Sequence, residues 1–196
     1  MVWIKILLLI FSTSALGESF IFLAGGKHCK TKVPAWEFDQ MEMEVLVPPC
    51  DEVDDIDLDE LSQPVYIGGI STGSIKAMKF AIKNKDKIKG VALLSAITTH
   101  KCWWCGSLLD TNYNEYQGSV LFINHEGDRC PSTNDTWATE NFAGNFKGVE
   151  MISITGGYDN GGFELSDKCF KNTHHAFSEV ESEVTKKIAE WIRKKQ

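Results

Sequence analysis

The sequence predicts a parallel α/β sandwich, a single sheet of about six strands with helices covering both faces. Short apolar runs alternate with helical patterns along the chain, and several of the runs are apolar throughout, as strands buried on both faces must be. The composition is that of an ordinary globular domain: 196 residues, 43% hydrophobic and 24% charged, without repeats or a Pro-rich linker.

The elements follow in order. Ser19-Phe20-Ile21-Phe22-Leu23 reads as a buried strand ending at Gly25-Gly26, and Glu42 to Val47 as a second, stopped by Pro48-Pro49. The acidic stretch that runs from Asp51 to Glu60 leads into a weak helix predicted over 54–62. Val65-Tyr66-Ile67 is a strand ending in glycines, followed by a helix over 74–84 with Ile75, Met78, Ala81 and Ile82 on one face. Strands are predicted over 90–94, 119–123 and 149–154, with a short helix over 137–142. The chain closes on a helix whose Val180, Val184, Ile188, Trp191 and Ile192 are spaced for one apolar stripe.

Charge narrows the function classes. Twenty Lys and Arg against 27 Asp and Glu leave a net charge of −7, and the only basic run is the terminal Arg193-Lys194-Lys195. Nucleic acid is excluded as the main partner, because phosphate binding needs clustered cations. Residues 1–17 have the pattern of an export signal: Lys5, then apolar Ile6 to Phe11, then small Ala15 and Gly17 three and one residues before a cut at Glu18. The apolar run is too short for a membrane anchor, so no stable membrane insertion is expected after cleavage. Residues 18–196 then form one secreted or periplasmic domain. In an oxidising compartment its six cysteines, Cys29, Cys50, Cys102, Cys105, Cys130 and Cys169, read first as disulfides.

In parallel sheets, sites form at the carboxyl ends of the strands. There, Gly69-Ile70-Ser71-Thr72-Gly73 stands between a buried strand and a helix. The five-residue string is weak by itself. Its context is stronger, because a serine on a sharp strand-to-helix turn lifts its hydroxyl above the sheet while the glycines relieve crowding. A serine nucleophile needs a base, and the base an orienting acid. Asp128, on the turn His125-Glu126-Gly127-Asp128, is the candidate acid, with Glu126 as rival. His175, of the pair His174-His175 ahead of the closing helix, is the preferred base. The Thr72 N–H and the loop Ala24-Gly25-Gly26 are the candidate oxyanion donors, for which close backbone approach is needed.

These elements resemble an α/β-hydrolase over nearly all of residues 18–196. The chain is most similar to small secreted or periplasmic bacterial members of unassigned substrate. The likeness rests on Gly25-Gly26, the Gly69–Gly73 elbow, Asp128-Arg129-Cys130, Leu93 to Thr99, Cys169 and His175-Ala176-Phe177. The resemblance implies Ser71 as nucleophile, Asp128 as acid and His175 as base, acting on a small-molecule acyl substrate without cofactor or metal. The chain departs from the pattern in having Ala24-Gly25 where the oxyanion loop usually has His-Gly, in lacking room for the usual first two strands, and in having no lid-sized insertion between 95 and 119. Trp103 and Trp104, in that short segment, are candidates to line an open substrate cleft.

Three disulfides are expected. Cys130 and Cys169 lie on the loops after the last two strands, which should be neighbours, and would clamp acid and base loops together. Cys29 and Cys50 both follow strands at one sheet end, and Cys102 and Cys105 are left to pair across the two tryptophans. Two other classes compete. Cys102-Trp103-Trp104-Cys105 has the spacing of a thiol-disulfide redox protein, or of half a zinc site with His100. A hydrolase-like fold can also be a non-catalytic binding protein.

Overall fold

A computed structural model describes residues 17–26, 36–49, 51–101, 105–133, 136–160, 167–169 and 172–195. Residues 1–16 of the expected export signal, and Cys29, Cys50, Cys102, Trp103 and Trp104, lie outside the described residues.

Six strands form one sheet: β1 (Ser19–Leu23), β2 (Glu44–Leu46), β3 (Val65–Ile70), β4 (Ile88–Leu94), β5 (Ser119–His125) and β6 (Glu150–Ile154). Their spatial order is β2-β1-β3-β4-β5-β6, and every neighbouring pair is parallel. Among the described residues three α-helices accompany them, α1 (Thr72–Lys83), α2 (Thr136–Ala143) and α3 (Glu181–Arg193).

The pleat sorts each strand's side chains between two cores. Ile21, Leu23, Val91, Leu93, Val120 and Phe122 face α1 and α2, where Ile75, Met78, Ala81 and Phe142 cover them. Phe20, Phe22, Ala92, Leu94, Leu121 and Ile123 face the other way, toward Val184, Ile188, Trp191 and Ile192 of α3. That burial of alternate residues in opposite layers is why the central strands have no polar face. Trp191 is the largest fully buried side chain among the described residues, and it fits because β4 has Gly90 there: a Cβ on Gly90 would stand 2.6 Å from the indole ring.

The expected helix over 54–62 does not form. Val53–Asp55 is a single 3-10 turn, and the Asp57 carboxylate then accepts the Asp59 N–H at 3.0 Å. An aspartate that bonds its own backbone two residues on competes with helix propagation, which explains the turn. The helix over 74–84 instead begins at Thr72, directly after the serine of the elbow.

Candidate active site

Ser71 occupies the one-residue gap between β3 and α1. Its backbone holds φ 55° and ψ −121°, a region that side-chain-bearing residues rarely adopt. The conformation is held by neighbours. The Ser71 N–H donates to Leu94 O at 2.9 Å, and its carbonyl accepts from the Ser74 N–H at 3.0 Å and from the Ser74 hydroxyl at 2.5 Å.

Both elbow glycines are sterically required. A Cβ at Gly69 would stand 2.2 Å from Gly73 O, and one at Gly73 would stand 2.3 Å from Leu23 O. The turn is therefore tight against itself and against the end of β1. The loop leaving β1 passes just as close, since a Cβ at Gly25 would lie 3.1 Å from the Ser71 Cβ and 2.9 Å from Ile70 O. The Thr72 hydroxyl donates to Gly26 O at 3.1 Å, tying this loop to the elbow. Thr72 opens α1, so its N–H has no acceptor within the helix.

The loops after β5 and β6 carry a carboxylate and an imidazole. Asp128 sits three residues past β5 and His175 in a 3-10 turn just before α3, and Asp128 Oδ2 lies 3.1 Å from His175 Nδ1. Both side chains are buried, 5% and 3% exposed. Burial pushes the Asp128 pKa up, but the adjacent His175, the Thr133 hydroxyl and the Cys130 N–H act the other way, and the net position is below the usual value. The remaining ring nitrogen, His175 Nε2, is buried and has no hydrogen-bond partner among the described residues.

The rival groups are placed elsewhere. Glu126 is exposed. His174 stacks on His125, with centroids 4.1 Å apart and planes 11° apart, and its Nδ1 lies 3.2 Å from Gly127 O and 3.6 Å from an Asp159 oxygen. His125 is occupied at both nitrogens, accepting the Gly127 N–H at Nδ1 and contacting Gly156 O at 2.8 Å through Nε2. Burial lowers its pKa, and the stacked His174 adds to the effect.

A disulfide joins Cys130 to Cys169, 39 residues apart, so the turn bearing Asp128 and the segment ahead of His175 share a covalent tie. Cys105 is also disulfide-bonded, and no described cysteine is free. Among the described residues no cluster of His, Cys, Asp and Glu is arranged to hold a metal ion, and no helix is long and apolar enough to cross a membrane.

Two polar residues at this site had no role assigned from the sequence. Ser95, buried just past β4 with φ 40°, donates its hydroxyl to the main-chain carbonyl of His175 at 2.9 Å. Thr133 lies beside both Asp128 and His175. Ser95 lies in the Leu93–Thr99 stretch, which by itself gave it no role, and the contacts of both residues with His175 cross 42 residues or more of chain, so local spacing held no signal for them.

No protein-family model matches the chain, and no curated protein matches its sequence. Solved structures do resemble it. Est1E from Butyrivibrio proteoclasticus has a TM-score of 0.65 at 14% identity, covering 93% of this chain and 89% of its own. A Paleococcus ferrophilus monoacylglycerol lipase has a TM-score of 0.61 at 12% identity, covering 91% of this chain and 95% of its own. A dienelactone hydrolase from Anabaena variabilis has a TM-score of 0.57 at 13% identity, covering 90% and 85%. At these identities the likeness is one of architecture. The chain has the α/β-hydrolase fold, with six strands and no large lid among the described residues.

Proposed function

We propose that this protein is an exported serine hydrolase that cleaves an ester or related acyl bond of a small molecule. The observation that carries this reading is the buried Asp128–His175 pair, at the same sheet end as a serine held in a strained strand-to-helix turn.

The chemistry follows from those positions. Ser71 Oγ attacks the substrate carbonyl carbon as His175 Nε2 takes the hydroxyl proton, giving a tetrahedral intermediate and an imidazolium. Asp128 stabilises that imidazolium and holds the ring's Nδ1–H tautomer. The oxyanion is received by the Thr72 N–H and by the backbone at Gly25 and Gly26. Collapse breaks the bond to the leaving alcohol, which departs with the His175 proton, and leaves an acyl group on Ser71. Water, deprotonated by His175, then hydrolyses the acyl-enzyme and restores the serine. No metal or cofactor takes part. Residues 1–17 serve as a cleaved export signal, and the clamp formed by Cys130 and Cys169 suits an oxidising destination.

The test is covalent labelling with a fluorophosphonate, together with turnover of a panel of short and long acyl esters by the purified protein. Label on Ser71 and hydrolysis lost in Ser71→Ala are the expected results. Undiminished turnover by a folded Ser71→Ala variant would sink the assignment. An unlabelled, inactive wild type would favour a binding protein, and readily alkylated thiols at Cys102 and Cys105 a redox one.

A further inference from the structure

We infer that Thr133 is a positioning residue for the proposed triad, its hydroxyl joining the Asp128 carboxylate and the His175 imidazole in one three-way hydrogen-bonded contact. The inference rests on the serine-hydrolase reading for its catalytic consequence, and on geometry alone for the contact.

Thr133 closes the turn that follows the acid, its N–H donating to Cys130 O at 3.0 Å, and it is only 7% exposed. Its Oγ1 lies 2.7 Å from Asp128 Oδ2 and 3.0 Å from His175 Nδ1, while Oδ2 and Nδ1 are 3.1 Å apart. The other carboxylate oxygen, Oδ1, accepts the Cys130 N–H at 2.8 Å. Three polar atoms thus face one another pairwise with protons available for only two of them.

The protons can be assigned by elimination. A carboxylate only accepts, and a hydroxyl has one proton to give. If Thr133 gave its proton to Nδ1, lone pairs would oppose each other across both the Oγ1–Oδ2 and Nδ1–Oδ2 contacts. In a buried site that arrangement is strongly disfavoured. The hydroxyl therefore donates to Oδ2 and turns a lone pair toward the ring, so Nδ1 carries a hydrogen shared between Oδ2 and Oγ1. That leaves the lone pair on Nε2, the atom required to take the Ser71 proton. Thr133 thereby fixes the imidazole tautomer and the rotation of both rigid groups, a task usually left to the carboxylate alone.

The experiment compares wild type with Thr133→Val, which keeps the shape and removes the hydroxyl, and Thr133→Ser, which restores it. Two quantities are read: kcat and KM on an activated ester, with kcat counted per fluorophosphonate-labelled site, and the histidine Nδ1–H proton resonance in protein with ¹⁵N-labelled histidine. Thr133→Val is expected to lose about tenfold or more in kcat with KM nearly unchanged, the scale of one hydrogen bond to a charged group. It is also expected to shift the Nδ1–H resonance, and Thr133→Ser is expected to return both toward wild type.

A change in one quantity without the other overturns the inference, as does a serine variant as impaired as the valine one, because loose packing would then be the cause. If Thr133→Val does not fold, Thr133→Ala takes its place. If the wild type neither labels nor turns over, the hydrolase reading has failed, and the resonance alone decides whether Thr133 holds the pair.

Discussion

At Asp128, burial and hydrogen bonding act in opposite directions, and the donors win. A carboxylate whose folded pKa lies below its unfolded value contributes stability that is present above the unfolded value and lost as pH falls through the folded one. Unfolding midpoints in urea should therefore drop at acid pH, from about pH 5 downward, and Asp128→Asn should flatten that part of the curve. His125 has the same sign by a different cause, since burial disfavours its charged form. Its contribution is present above about pH 6.5 and fades below it, and His125→Asn, whose side-chain oxygen can still accept the Gly127 N–H, should remove this higher-pH loss. In turnover, Asp128→Asn is expected to cost a thousandfold or more, roughly the scale for a triad acid. His175→Ala should abolish most activity, whereas His174→Ala should spare most of it, because His174 faces His125 and Gly127. Steady-state kinetics on the two alanine variants decide this, and the reverse outcome would move the base by one residue.

The turn from β3 into α1 shows how little slack the elbow has. Its two glycines are not interchangeable with alanine, because the atoms a new Cβ would meet are backbone carbonyls and cannot swing aside. Gly73→Ala is expected to push α1 away from the end of β1, with a cost of about 1–3 kcal/mol from overpacking. Urea unfolding measures that cost. Fluorophosphonate labelling of the folded fraction should fall as well, because Ser71 and Thr72 move with the helix. The closing helix α3 is governed by packing in a different way. It lies across the sheet through Val184, Ile188, Trp191 and Ile192, and it begins at Glu181, shortly after the 3-10 turn bearing His175.

Across the whole molecule, the loops that carry Asp128 and His175 are joined by the bond from Cys130 to Cys169 rather than by a shared element. Closing a span of 39 residues stabilises the fold by about 4 kcal/mol on the chain-entropy model. Replacing both cysteines with serine should lower the unfolding free energy by up to about that amount. At moderate temperature it should reduce turnover more than secondary structure, because loosened loops misplace Asp128 and His175 before the sheet melts. Circular dichroism beside ester hydrolysis separates the two effects. Equal losses would show that the bond serves only global stability.

Strand positions, the parallel sheet and the two-faced burial were legible from the apolar runs, because a strand covered on both sides has no polar alternation to disguise it. The elbow was legible too, since glycine, serine and glycine between a strand and a helix leave few other conformations. Residues 54–62 misled, because helical periodicity there is outweighed by Asp57 bonding its own backbone. The sequence offered Asp128 and His175 as acid and base but left Glu126 and His174 as rivals. Only the tertiary structure put Asp128 beside His175, with Glu126 in solvent and His174 against His125. The contacts that Ser95 and Thr133 make with His175 were invisible, because they join residues far apart in the chain. Sequence by itself determined which segments become strands and where the sharp turn falls, since periodicity and glycine act locally. Which buried polar atoms meet was decided by tertiary structure alone, because a hydrogen bond depends on distances that only the packed sheet and its loops define.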